Sequence, residues 1–297
     1  MFKEAWAFVC VHPVSWWWSE QLCLFTAGVW TVFIAVEGRS SEALDFLPLC
    51  VHLRLGKRYN IRHVWAYMLL GQIVAISVAS NLFYLALVLS ELSVSSRNLS
   101  LKQTASLRLV ISVLLSLVTV ALSPFTSART FLPNLLVMHV LLFVPLVSKT
   151  SSSPETPSPT SFSINLKTLY RIIHLACAGI HVRTVIAALR SLQASSLQPN
   201  TFEEAWIILY SHPAQSSIGW DIIWTSLSFI VWILLRPRSS LNHDLGIYKY
   251  GIAMYLLLAT PVASIAVTAP YALQPRGDVA EGVGSVKTDS EEKEKIT

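Results

Sequence analysis

The sequence predicts an all-α protein, a polytopic transmembrane helical bundle of seven or eight spans with a candidate internal repeat. Three observations carry this. Of 297 residues, 53% are hydrophobic and only 13% charged, with a mean hydropathy of +0.54, a profile of membrane chains rather than soluble domains. The apolar residues fall in long runs, of the length that a hydrocarbon core of about 30 Å demands of a helix. A ten-residue pattern, EAWAFVCVHP at residues 4–13, returns as EAWIILYSHP at 204–213.

Seven runs qualify. Residues 21–36 form the first, and 63–90 the second, long enough to tilt or to be split. Residues 107–122 are short. The fourth run, 131–147, contains Pro133 and Pro145, which lipid tolerates where neighbouring helices satisfy the freed carbonyls. The fifth, 168–190, is helical by period but carries Arg171, His174, His181 and Arg183. Residues 220–235 and 248–269 are the sixth and seventh. Residues 43–55 are too short for a span and read as re-entrant or interfacial.

The tract SKTSSSPETPSPTSF at 148–162 has the composition of a flexible linker. It divides an N-terminal helical half, 1–147, from a C-terminal half, 167–273, with 148–166 as the connecting loop and 274–297 as a charged, disordered tail. Glu4, His12 and Pro13 interrupt any secretory signal in the first nineteen residues, so the first span doubles as the targeting element. The final KEKIT fits the KxKxx pattern of retrieval to the endoplasmic reticulum, which implies a cytosolic C-terminus. Arg39, Arg54, Lys57, Arg58 and Arg62 follow the first span and favour the cytosol. With seven spans the sequon Asn98-Leu99-Ser100 is then lumenal. Cys10, Cys23, Cys50 and Cys177 form no CxxC pair, which argues against disulfides and structural zinc.

Each copy of the repeated pattern precedes a span and is followed by tryptophan and a carboxylate: Trp16, Trp17, Trp18 and Glu20 after the first, Trp220 and Asp221 after the second. An interfacial amphipathic helix turned into the membrane by proline accounts for the Trp and the Pro. It leaves the recurring acid and histidine, Glu4 with His12 and Glu204 with His212, unexplained. A duplication whose copies face a shared cavity accounts for those too. Seven spans make the repeat inverted; eight put both copies on one face.

Asp221, at the head of an apolar run, is a functional-site candidate because charge inside a membrane is costly. As a helix N-cap it has an equally good structural reason to be there. A buried, protonated aspartic acid is a ready general acid. On the fifth run, Lys167, Arg171, His174 and His181 share one stripe, which must face protein or a wet cavity. It could orient a polar headgroup, or pair with Glu203 or Glu204.

No DDxxD, NxxxDxxxD or DxDD is present, nor a P-loop, GxGxxG, HExxH or Gly-x-Ser-x-Gly. Redox, nucleotide and metallohydrolase chemistry lack their usual residues, and no metal or other cofactor is expected. The net charge of +5 is spread over loops, which gives nucleic-acid binding no support. Ten Trp, nine Tyr and twelve Phe supply ring faces that stabilise cations where water is excluded. Acids in an aromatic, metal-free membrane pocket are what polyene cyclisation needs.

The segment YSHPAQSSIGWDIIWTSLSFIVW, residues 210–232, resembles fungal integral-membrane terpene cyclases of meroterpenoid biosynthesis, of the ascochlorin, ascofuranone and macrophorin type. The resemblance covers little more than this segment. It implies metal-free, acid-initiated cyclisation of a farnesyl-type, epoxidised chain on an aromatic core, with a lipophilic prenylated substrate and the bilayer as partners. Carried over, Asp221 is the proton donor with His212 beside it, and Trp220 and Trp224 are cation-stabilising rings. Glu20, His12 and Glu204 follow from the internal repeat, and Arg171, His174 and His181 as substrate-binding groups. The competing expectation is a small transporter or scaffold, its proton or substrate path lined by His174 and His181.

Overall fold

The computed structural model describes residues 7–38, 61, 63–91, 104–147, 163–194, 201–235 and 244–274. The expected re-entrant stretch 43–55, the linker at 148–162 and the tail beyond 274 lie outside the described residues. What is described is almost entirely helical. A π-helical turn, Ala7–Val11, leads into α1, Pro13–Glu37, which loosens into a π-helix over Phe25–Trp30. There follow α2 (Val64–Ile73), α3 (Ile76–Glu91), α4 (Leu107–Leu122), α5 (Phe131–Val147) and α6 (Leu166–Ala194). The chain closes with α7 (Thr201–Leu209), α8 (Pro213–Leu235), α9 (Asp244–Ala263) and α10 (Ile265–Leu273). Two three-residue strands, β1 (Thr104–Ser106) and β2 (Ser163–Asn165), pair antiparallel just before α4 and α6 and so start those helices at one end of the bundle.

Four helical stretches are long and apolar enough to cross a membrane: Pro13–Glu37, Leu107–Phe125, Leu166–Gln193 and Pro213–Leu235. Their outward faces stay apolar, with Ile111, Leu115, Leu175, Val182, Leu227 and Val231 all exposed. So large an apolar exterior does not belong to a water-soluble monomer.

Helices α1 and α8 pack side by side and in parallel. The Phe8 ring stacks on His212 at 4.0 Å, Phe25 meets Phe229 edge-on at 6.5 Å, and Phe33 meets Trp232 at 5.0 Å, so positions advance together along both. Gly219 makes room for the end of α7, since a Cβ there would run into Leu209 and would stand 3.6 Å from the Trp18 ring of α1. Trp18 Nε1 donates to the Ala205 carbonyl at 3.0 Å. The two copies of the repeated pattern therefore touch at one end of the bundle. Trp16 and Trp18 are buried there, as part of the core rather than a surface anchor.

The second and seventh apolar runs are not single rods. Had 63–91 been one helix, Gly71 and Ala79 would stand about 12 Å apart. Instead a Cβ on Gly71 would lie 3.4 Å from that of Ala79, because the chain reverses at Val74 and Ala75. Likewise Thr260 and Thr268 hydrogen-bond at 2.9 Å, and the Tyr255 and Tyr271 rings lie 5.3 Å apart, because α9 and α10 fold back at Ser264. Both are helical hairpins; the tip at Ser264 is buried in the bundle, whereas Ile73 and Val74 at the other tip face outward. Helix α3 runs parallel to α8, with Tyr84 stacked on Trp232 at 5.1 Å. Helix α6 runs antiparallel to α1, since Thr184 meets Glu20 while Ile173 meets Gly28.

The core between α1, α3 and α8 is aromatic: Trp30, Phe33, Phe83, Tyr84, Phe229 and Trp232 pack edge to face. Such pairs add about 0.5–1.5 kcal/mol each beyond area burial.

Cysteines placed at positions 8 and 212, in a background with the native cysteines replaced, are expected to join through a short bis-maleimide in intact membranes. An inverted repeat would hold them about 30 Å apart, and no cross-linked band would form.

Candidate functional site

Glu20 lies seven residues into α1, about 10 Å from its start, and Asp221 eight residues into α8, about 12 Å from its start. The two carboxylates thus occupy matching positions on parallel helices, each at the depth of a hairpin tip. What they do there differs.

Asp221 caps a helix other than its own. Its Oδ2 accepts from the Ile76 amide at 3.0 Å and its Oδ1 from the Ser77 amide at 2.7 Å, satisfying two of the donors left bare at the N-terminus of α3. Both of its oxygens are committed to backbone amides.

At the other tip the backbone caps itself. Ser264 has φ 69°, a left-handed conformation costly for a residue with a Cβ, and its Oγ accepts from the Ala266 amide at 3.3 Å. Its carbonyl takes the amides of Val267 and Thr268 at 3.2 and 3.1 Å. Glu20 is free of capping duty. Fully enclosed, it accepts from Thr184 Oγ1 at 2.9 Å through Oε1, and its Oε2 faces His181 Nδ1 at 3.4 Å. His181, buried on α6, points its Nε2 at the Val262 carbonyl, 3.3 Å away, at the end of α9.

That geometry fixes one proton. A carbonyl only accepts, so Nε2 carries a hydrogen, and Nδ1 turns toward a carboxylate oxygen. Neither atom of the pair has another hydrogen-bond partner among the described residues. The site is a buried carboxyl–imidazole pair whose facing atoms lie 3.4 Å apart.

His174, two turns along the same face of α6, sends its Nδ1 to the Val267 carbonyl of α10 at 2.8 Å. Beside it lies a cavity of about 340 Å³ lined by His174, Gly251, Ile252, Tyr255 and Tyr271.

The remaining sequence candidates are dispersed. His212 is half-buried, its ring against Phe8 and its Nδ1 accepting from the Ala214 amide at 3.2 Å. His12 and Arg171 are exposed, and Glu204 is half-exposed. Trp220 and Trp224 face outward, at 36% and 57% exposure. Arg183 reaches Ala121, donating to its carbonyl at 2.9 Å, and covers the Phe125 ring at 5.2 Å. The polar stripe of α6 thus finds Glu20 and two backbone carbonyls, not Glu203 or Glu204. Thr184, Ser264, Tyr255 and Tyr271 were not foreseen. Nor was Gln215, fully enclosed on α8 with neither amide atom bonded among the described residues. Among the described residues no three His, Cys, Asp or Glu side chains gather as a metal site would require. No protein-family model, curated protein or solved structure matches the chain.

Removing the Asp221 carboxylate should unsettle the fold before anything else. Asp221→Ala leaves two enclosed amides without an acceptor and is expected to cost about 1–3 kcal/mol, read as a lower melting midpoint in detergent. Asp221→Asn keeps one acceptor and should lose less.

Proposed function

We propose that this chain is an integral membrane protein of the endoplasmic reticulum that catalyses metal-free, acid-initiated cyclisation of a prenylated aromatic precursor. The observation that carries the reading is the Glu20–His181 pair: a carboxyl group and an imidazole 3.4 Å apart, both enclosed by the bundle and able in this reading to share and pass on one proton. Water exclusion matters because a carbocation is quenched by water before it closes a ring. The segment at 210–232 favours this substrate class, and KEKIT alone favours the endoplasmic reticulum.

In this reading Glu20, as the carboxylic acid, protonates the epoxide oxygen of the prenyl chain. The C–O bond breaks, the alkene electrons close successive rings, and a C–H proton leaves the final cation for the Glu20–His181 pair. Protons given and taken balance, so the reaction is an isomerisation. Asp221 is the scaffold acid and Glu20 the reactive one. Glu20→Gln is expected to abolish cyclised product from an epoxyfarnesyl phenol in microsomes while expression and melting midpoint hold. Cyclisation that survives in the Gln variant would remove Glu20, and with it this mechanism.

Five crossings follow, by α1, α4, α5, α6 and α8, with α2–α3 and α9–α10 as hairpins that enter and leave on one face. Both hairpins open toward the end where α1 finishes, and the basic residues that follow α1 in sequence, Arg39, Arg54, Lys57, Arg58 and Arg62, favour the cytosol for that end. The ends of the described chain that flank residues 92–103 both stand on that side. Asn98 is therefore expected to stay unglycosylated, shown by no mobility shift on treatment with a glycosidase. A glycosylated Asn98 would mean that α2–α3 crosses.

A transporter is the second reading, and the paired hairpins favour it, since broken helices meeting at a bundle's midplane are how many carriers hold a substrate. It requires Glu20→Gln to abolish uptake into proteoliposomes, with no cyclised product from the wild type.

A further inference from the structure

The cavity beside His174 has an internal logic that the acid pair does not use. His174 Nδ1 lies 2.8 Å from the Val267 carbonyl, so that nitrogen carries the hydrogen and Nε2 is the ring atom left to meet a ligand hydroxyl. Opposite stand Tyr255 and Tyr271, rings edge to face at 5.3 Å. One wall is missing: a Cβ on Gly251 would meet nothing within 4 Å, so the glycine keeps that side open. At about 340 Å³ the space falls in the lower range of small-molecule sites. Its lining is mainly apolar and aromatic, with the His174 imidazole held in fixed position by the Val267 carbonyl and two tyrosine hydroxyls as the other polar groups.

We propose that this cavity binds the hydroxyl-bearing ring of a lipophilic phenol, its O–H donating to His174 Nε2 and its ring lying against Tyr255 and Tyr271. The proposal rests on the cyclase reading for the identity of the occupant. It deepens that reading by orienting the substrate. His174 and His181 are seven residues apart on one face of α6, about 10 Å along the axis. In the cyclase reading the prenyl chain of a phenol held at His174 runs along α6 toward Glu20 and His181. Ring at one histidine, reacting end at the other: both are hung from the α9–α10 hairpin through the Val267 and Val262 carbonyls.

The hydroxyl is the discriminating group, because a site built to accept one hydrogen bond rejects an analogue that cannot supply it. The test is equilibrium binding of radiolabelled 2-farnesylphenol and its methyl ether to the protein in lipid nanodiscs, without turnover. Wild type is expected to bind the phenol at least about tenfold more tightly than the ether. His174→Phe should bring the phenol down to the ether and leave the ether within about twofold of wild type. Gly251→Leu should weaken both by about tenfold or more, since its side chain enters the chamber without displacing backbone. Equal binding of phenol and ether by wild type overturns the proposal whatever the variants do, and so does unchanged phenol binding in both variants. Phenol preference without cyclised product removes the cyclase reading and leaves the cavity assignment standing; cyclised product without phenol preference does the reverse.

Discussion

Asp221, His174 and His181 answer one constraint: a chain that reverses within an apolar bundle exposes backbone groups that need partners from other helices. A helix end leaves up to four amides or carbonyls bare, and each left unbonded away from water costs about 1–3 kcal/mol. The chain reverses twice, at Val74–Ala75 and at Ser264. At the first tip the amides of Ile76 and Ser77 go to Asp221. At the second, Ser264 takes the amides, and the carbonyls of Val262 and Val267 go to His181 and His174. Asp221 and the two histidines are where the backbone stops satisfying itself.

The two halves of the repeat then diverge at equivalent points. Helices α1 and α8 lie parallel with an acid at nearly the same depth, yet Asp221 is consumed as a cap while Glu20 is not. The difference lies on the hairpins. The α3 terminus has no side chain of its own to cap it, whereas α10 begins with a serine held at positive φ so that its hydroxyl and carbonyl both serve the first turn. Ser264 caps α10, and Glu20 is bonded instead to Thr184 and faces His181.

Hydropathy made the long helices legible, because a run of apolar residues has the same meaning wherever it is folded. The short helices were harder. Nothing at Val74-Ala75 breaks a helix by local chemistry, so 63–90 read as one run, split or whole. Pro261, three residues before the second reversal, was the one local sign that 248–269 would not be straight. The repeat was visible as a pattern, but its sense was not: whether two copies abut or oppose depends on how often the chain between them crosses. Asp221 was read as either a site or a cap, and it is a cap, though of a helix 144 residues away in sequence. The Glu20–His181 contact spans 161 positions, and no local periodicity encodes it.

A structural account of the histidines is sufficient up to a point, and the remainder is informative. Satisfying a carbonyl needs one donor, which a threonine, glutamine or tryptophan would supply; Trp18 does so for Ala205, and Asn134 for Thr119. Histidine differs in what is left over. With one nitrogen committed to a carbonyl, the other is presented on the opposite side of the ring, an acceptor in the neutral imidazole and a donor in the cation. At His181 the second nitrogen meets a carboxyl group, and His174 borders the cavity. Capping alone does not require a second nitrogen at either place, whereas moving a proton at one and accepting a hydroxyl at the other does.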